Sequence, residues 1–235
     1  MFGLVNCNTD LLPQLQKRHQ HWLRGLQSLG NADENFFNQI ITGDETWCFA
    51  YDPATKRQSS EWIGEKSPRP KKLKFRRSHI KTILINFFES QGVLHKEFVP
   101  EGKTVNAEFY KGVMDGLLKR IQQLRPAAFC SRDFFLLHCN VPAHTAAKCL
   151  PIFDPKNVKT FYHPPYCPVL SPPDYFLFPE LKMKLKGLHF ADVAKIQKAV
   201  TDELKKVQNE EFSAAFQKLC DGAKVYIYAN GAYFE

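Results

Sequence analysis

Along most of this chain the hydrophobic and polar positions fall into short, readable patterns. Lys81-Thr82-Ile83-Leu84-Ile85-Asn86-Phe87-Phe88 is a nearly continuous apolar run and predicts a buried strand. Glu89-Ser90-Gln91-Gly92 follows as a hairpin turn, and residues 93–99 return as the partner strand. Phe109, Val113, Leu117, Ile121 and Leu124 recur at helical spacing, which predicts a helix over about 106–124 that Pro126 stops. Residues 46–51 suit a strand that Asp52-Pro53 ends as a turn, and residues 59–64 allow a second short extended piece. Residues 133–138 predict another strand, 145–153 a helix and 158–162 a last strand. Five prolines between Pro164 and Pro173 then impose a stiff, non-helical lead. Asp174 opens a helix that runs through Leu181 and Leu185, with Pro179 marking where its regular part begins or kinks. Asp192 caps a further helix with the stripe Val193, Ile196, Val200, Leu204 and Val207, and a final helix covers about 211–219. Near the start, residues 11–29 carry a weaker helical pattern that Gly25 and Gly30 oppose. This order predicts an α/β fold, a mixed β-sheet flanked by helices. Order alone fits several folds and names no function.

Composition narrows the class. The 235 residues are 44% apolar and 24% charged, enough for one sizeable core and too apolar for general disorder. A formal charge of +8 favours a polyanionic partner, nucleic acid above all, over a basic protein without one. Much of that charge lies in residues 66–81, where Pro68 and Pro70 discourage regular structure. Lys66, Arg69, Lys71, Lys72, Lys74, Arg76 and Arg77 are the candidates there for contacts to phosphate. A solvated basic loop is the competing reading. Seven cysteines without regular spacing suggest free thiols in a reducing interior. The apolar start Met1-Phe2-Gly3-Leu4-Val5 lacks the flank of a secretory signal, and no run approaches the roughly 20 apolar residues of a membrane span.

Three segments carry candidate chemistry. They are Ile41-Thr42-Gly43-Asp44-Glu45-Thr46-Trp47, Leu136-Leu137-His138-Cys139-Asn140 and Ser171-Pro172-Pro173-Asp174-Tyr175. Cutting DNA requires an activated water and a stabilised leaving oxygen, and two hard divalent cations about 4 Å apart supply both. Such cations take oxygen ligands, so Asp44, just before a strand, and Asp174, at a helix start, are candidate metal ligands. Each aspartate by itself is more often a cap or turn residue.

Together the segments resemble the catalytic motifs of the mariner transposases of the Tc1/mariner superfamily. Thr42-Gly43-Asp44-Glu45-Thr46-Trp47 looks like their first motif. Leu137-His138-Cys139-Asn140 with Pro142-Ala143-His144-Thr145-Ala146 looks like their second, and residues 163–175 resemble their third. Thirty-four residues separate Cys139 from Asp174, the spacing of mariner elements, and Asn230-Gly231-Ala232-Tyr233-Phe234-Glu235 resembles a mariner C-terminus. The resemblance implies an RNase H-like catalytic domain over 36–235, with residues 1–35 as a linker remnant and the family's helix-turn-helix region absent. It further implies Mg²⁺- or Mn²⁺-dependent cleavage and strand transfer at transposon ends, by a homodimer acting on paired DNA ends; the expected compartment is the nucleus, with the cytoplasm as the alternative. The segment between the first two strands, about 52–81, would reach the partner subunit.

The sequence departs from the pattern at its centre. Cys139 stands where the second catalytic aspartate is expected, Val169 where the family has Asp, Cys167 where it has Ser and Val141 where it has Ala. A thiol with pKa near 8.5 is mostly neutral at pH 7 and is a soft, poor ligand for Mg²⁺. Three readings follow: a transposase-derived protein with cleavage impaired or lost, a residual Mn²⁺-dependent nuclease, and a non-catalytic DNA-binding or dimerisation module. Cys139, His144, His163 and Cys167 also have spacings permissible for a zinc site, a minor alternative.

Overall fold

The computed structural model describes residues 39–55, 57–60, 76–131, 134–138, 159–162 and 170–228. The expected helices over 11–29 and 145–153, Cys139, the thiol–imidazole set, and the basic residues Lys66, Arg69, Lys71, Lys72 and Lys74 lie outside the described residues.

A five-stranded mixed sheet forms the centre. Its strands are β1 (Ile40–Phe49), β2 (Lys81–Glu89), β3 (Gly92–Phe98), β4 (Phe135–His138) and β5 (Lys159–Tyr162). They lie side by side in the order β3-β2-β1-β4-β5. The first three strands form an antiparallel meander, while β4 runs parallel to β1 and β5 parallel to β4. The expected hairpin is present, and Gly92 takes a left-handed φ of 130° where the chain re-enters β3.

β1 begins at Ile40, earlier than the sequence pattern suggested, so Asp44 lies within the strand and not before it. Gly43 and Asp44 disfavour strand locally, but β1 has a neighbour on either side, and ladder pairing outweighs that preference. Ser59 closes a turn, its N–H donating to the Thr55 carbonyl at 2.9 Å, while residues 61–64 of the expected extended piece lie outside the described residues.

Side chains alternate between two cores, one on each face of the sheet. On one face Ile41, Ile85, Phe87, Leu94 and Leu136 pack against α1 (Ala107–Leu124). Asn106 caps α1, its Oδ1 accepting from the Phe109 N–H at 2.8 Å. The buried side of α1 is Tyr110, Val113, Met114, Leu117, Leu118 and Ile121, and Leu124 is exposed at the last turn. Pro126 ends α1 and also opens a short helix, α2 (Pro126–Ser131), where a missing N–H costs nothing.

On the other face Ile40, Cys48, Leu84, Phe88 and Leu137 meet the C-terminal helices. These are α3 (Phe178–Leu185), α4 (Val193–Lys206) and α5 (Asn209–Tyr228). Asp192 caps α4 by accepting from the Lys195 N–H at 2.8 Å, and Ile196, Val200 and Leu204 form its buried stripe. Phe88 joins sheet to helices through edge and tilted contacts with Phe176, Phe212 and Phe216. No helix among the described residues is long and apolar enough to cross a membrane.

Candidate active site

Asp44 lies on the middle strand of the sheet, on the face that carries the C-terminal helices. Its position alternates with Ile40 and Cys48, which belong to that core. Beside it, Gly43 is required by contact. A Cβ there would come within 2.3 Å of the Phe87 ring and 2.7 Å of the Asn86 carbonyl oxygen.

Asp174 arrives from the opposite direction. Pro173–Leu177 forms a wide π-helical turn in which the Phe178 N–H donates to the Pro173 carbonyl. Single π turns are frequent at functional sites because they re-aim one side chain without ending the helix. The turn is held on both sides of Asp174. Pro173 and Leu177 are buried, and the Tyr175 hydroxyl donates to the Ala215 carbonyl of α5 at 2.7 Å. Phe176 packs edge-on to Phe212. Asp174 itself is exposed.

The two aspartates are near enough to interact. Burial pushes the Asp44 carboxyl up from its usual 3.8 to about 7. A side-chain interaction with Glu45 and the negative charges of Glu45 and Asp174 act in the same direction. The Glu45 N–H, donating to Asp44 Oδ1 at 2.8 Å, opposes them. A half-buried carboxylate resisting ionisation beside a second carboxylate is a donor set that suits a hard divalent cation. Among the described residues no group of three His, Cys, Asp or Glu side chains converges.

The basic segment is described only at its ends. Arg76 is exposed, whereas the Arg77 guanidinium lies 2.8 Å from Asp52 and 4.6 Å from the centre of the Phe49 ring. The Ser78 N–H donates to the Tyr51 carbonyl, and the Ala50 N–H to the Ile80 carbonyl, so the two ends are zipped together. Behind them Tyr51 stacks on His189 with ring centres 4.0 Å apart, and the Gly187 N–H donates to the Asp52 carbonyl.

Sequence reasoning passed over Asn86. It is fully buried and lies directly opposite Asp44 in the β1–β2 ladder. The available signal was a lone polar residue inside the apolar run Ile83-Leu84-Ile85-Asn86-Phe87-Phe88.

The fold recurs among known proteins. Residues 52–129 match the family model described as Transposase (partial DDE domain). The chain is 26% identical over 228 residues to the human histone-lysine N-methyltransferase SETMAR, covering 95% of this chain and 32% of that protein. It is 26% identical over 204 residues to the Mariner Mos1 transposase of Drosophila mauritiana, covering 86% of this chain and 58% of that one. The chain therefore spans about a third of one curated relative and somewhat over half of the other. It overlays the Mos1 mariner paired end complex with Mn at a TM-score of 0.82 and 26% identity, covering 100% of this chain and 67% of that one. The Mos1 catalytic domain overlays at 0.73 with 23% identity and full coverage of both chains, which fixes the fold. The paired end complex has been solved with Mg as well as with Mn. The chain is thus similar in sequence to the Mariner Mos1 transposase and carries the RNase H-like fold of its catalytic domain.

Proposed function

We propose that this is a mariner transposase-derived protein whose ancestral reaction is metal-dependent DNA cleavage and strand transfer at transposon ends, and that Cys139 impairs or abolishes that reaction. The observation that supports the reading is the packing of the π turn that bears Asp174 against β1, the strand that bears Asp44, on one face of the sheet.

In this reading Asp44 and Asp174 hold Mg²⁺ or Mn²⁺. Such ions would activate the attacking water and neutralise charge on the leaving oxygen. Asp44 would be held by the Glu45 N–H and Asp174 by its pinned turn, so neither has to reorganise on binding. Cys139 brings to the third position a largely neutral, soft thiol. The charge needed to hold two cations is then short by one carboxylate. Residues 36–235 would form the catalytic unit, acting on DNA in the nucleus as a homodimer. Lys66, Arg69, Lys71, Lys72, Lys74, Arg76 and Arg77 would supply contacts to DNA or to the second subunit.

The test is oligonucleotide nicking in Mg²⁺ and in Mn²⁺, comparing the chain with its Cys139→Asp variant. Cutting by the variant alone, abolished by Asp44→Ala, is the expected outcome. Cutting by the unaltered chain, lost in Asp44→Ala, would show that the thiol is tolerated and overturn the inactive reading.

Cys139 also favours a second reading, a DNA-binding or dimerisation module that needs no chemistry. It predicts binding that weakens steeply with salt while nicking stays absent in both forms.

A further inference from the structure

Asn86 is 0% exposed, and neither its Oδ1 nor its Nδ2 has a hydrogen-bond partner among the described residues. An unpaired amide inside a sheet is costly and calls for a physical reason. The register supplies one. Asn86 faces Asp44 directly across the β1–β2 ladder, and such partners project to the same side with Cβ atoms about 4.5–5.5 Å apart.

That side is the one Asp174 approaches. Leu84 and Phe88, which flank Asn86 at alternate positions of β2, both belong to the core under the C-terminal helices. On the other neighbour, β3, Asn86 faces Lys96. The Lys96 ammonium is already engaged, donating to Thr201 Oγ1 of α4 at 2.6 Å. Neither this ammonium nor any other described group bonds the amide, which stays unpaired beside Asp44. An amide oxygen is a neutral, hard donor of the kind that Mg²⁺ and Mn²⁺ accept beside carboxylates.

We propose that Asn86 Oδ1 is a further oxygen ligand of the divalent cation held by Asp44 and Asp174, an inference that rests on reading those two aspartates as a cation site. It adds an oxygen without adding charge. Cation binding and DNA cleavage then separate in this chain: the ion is retained although the negative charge missing at Cys139 is not replaced.

The experiment is Mn²⁺ titration, read by the electron paramagnetic resonance signal of free Mn²⁺, on the full chain and on Asn86→Leu, Asn86→Asp and Asp44→Asn. Melting of each metal-free protein is measured alongside. Asn86→Leu is expected to weaken Mn²⁺ binding by about 10-fold or more. The same variant is expected to melt higher without metal, because an unpaired buried amide has been removed. Asn86→Asp is expected to bind Mn²⁺ more tightly than the unaltered chain and to melt lower without metal. If Asn86→Leu binds Mn²⁺ as the unaltered chain does while Asp44→Asn does not, the aspartate site stands and Asn86 has no part in it. If Asn86→Leu melts lower without metal, the amide serves the fold and the proposal falls. If the unaltered chain takes up no Mn²⁺, or Asp44→Asn binds equally well, the aspartate site fails and Asn86 falls with it.

Discussion

Glu89 closes β2 with a carboxylate that is nearly enclosed. Its Oε1 lies 2.7 Å from Arg125 Nη2, yet its Oε2 is buried without a hydrogen-bond partner. Burial pushes the carboxyl up from 4.5 to about 7, and the Arg125 charge, pulling the other way, does not cancel it. The folded protein therefore keeps a proton that the unfolded chain releases at lower pH. The stabilising contribution is complete below pH 4.5 and is lost as pH rises through about 7. Discounted for partial solvation, the loss is on the order of 1–2 kcal/mol. Glu89→Gln, which cannot ionise, is expected to flatten stability across that window and to be the more stable protein at about pH 8. Urea unfolding of both forms at several pH values measures this. Equal pH profiles would mean that Arg125 fully compensates the buried charge.

Between elements, the tightest fit is the approach of β1 to β2 at Gly43. The Phe87 ring lies over that glycine so closely that Gly43→Ala forces the ring or the strand to move. The expected cost is about 1–3 kcal/mol, the usual price of overpacking. Chemical denaturation measures it, and an unchanged midpoint would show that the ring swings aside freely. Most elements were legible because each carried its own pattern. The apolar run of β2, the stripes of α1 and α4, and the caps Asn106 and Asp192 are local signals. The start of β1 was not, because Gly43 and Asp44 are held in strand by partners distant in sequence. The π turn was half legible. Pro172, Pro173 and Pro179 announced an irregular helix start, but the wide turn itself depends on Tyr175 and Phe176 finding α5. The candidate site was legible as separate aspartates, while the role proposed for Asn86 depends on a register that no local pattern encodes.

At the scale of the molecule, the sheet divides labour between its faces. The α1 face is an apolar core closed by the helix and, among the described residues, holds none of the candidate site. The opposite face combines apolar packing around Phe88 with the polar positions Asp44 and Asn86, and its C-terminal helices anchor the turn bearing Asp174. Damage to one core thus weakens the scaffold, whereas damage to the other also displaces candidate ligands.

The strand order has a further consequence, for the sequence of events in folding. The β2–β3 hairpin closes over Ser90 and Gln91 alone, and β1 is the next strand to join it. Strands β4 and β5, and the turn bearing Asp174, require contacts between segments much farther apart along the chain, which form slowly. Pulse-labelled hydrogen exchange during refolding is expected to protect the amides of β2 and β3 before those of β4 and β5; the reverse order would refute this. A nascent or half-refolded chain would then carry Asp44 on a formed meander with no second carboxylate near it. Such a chain holds Asp44 and Asn86 without Asp174, an incomplete set of ligands, so any nuclease activity would be withheld until the last long-range contacts are made.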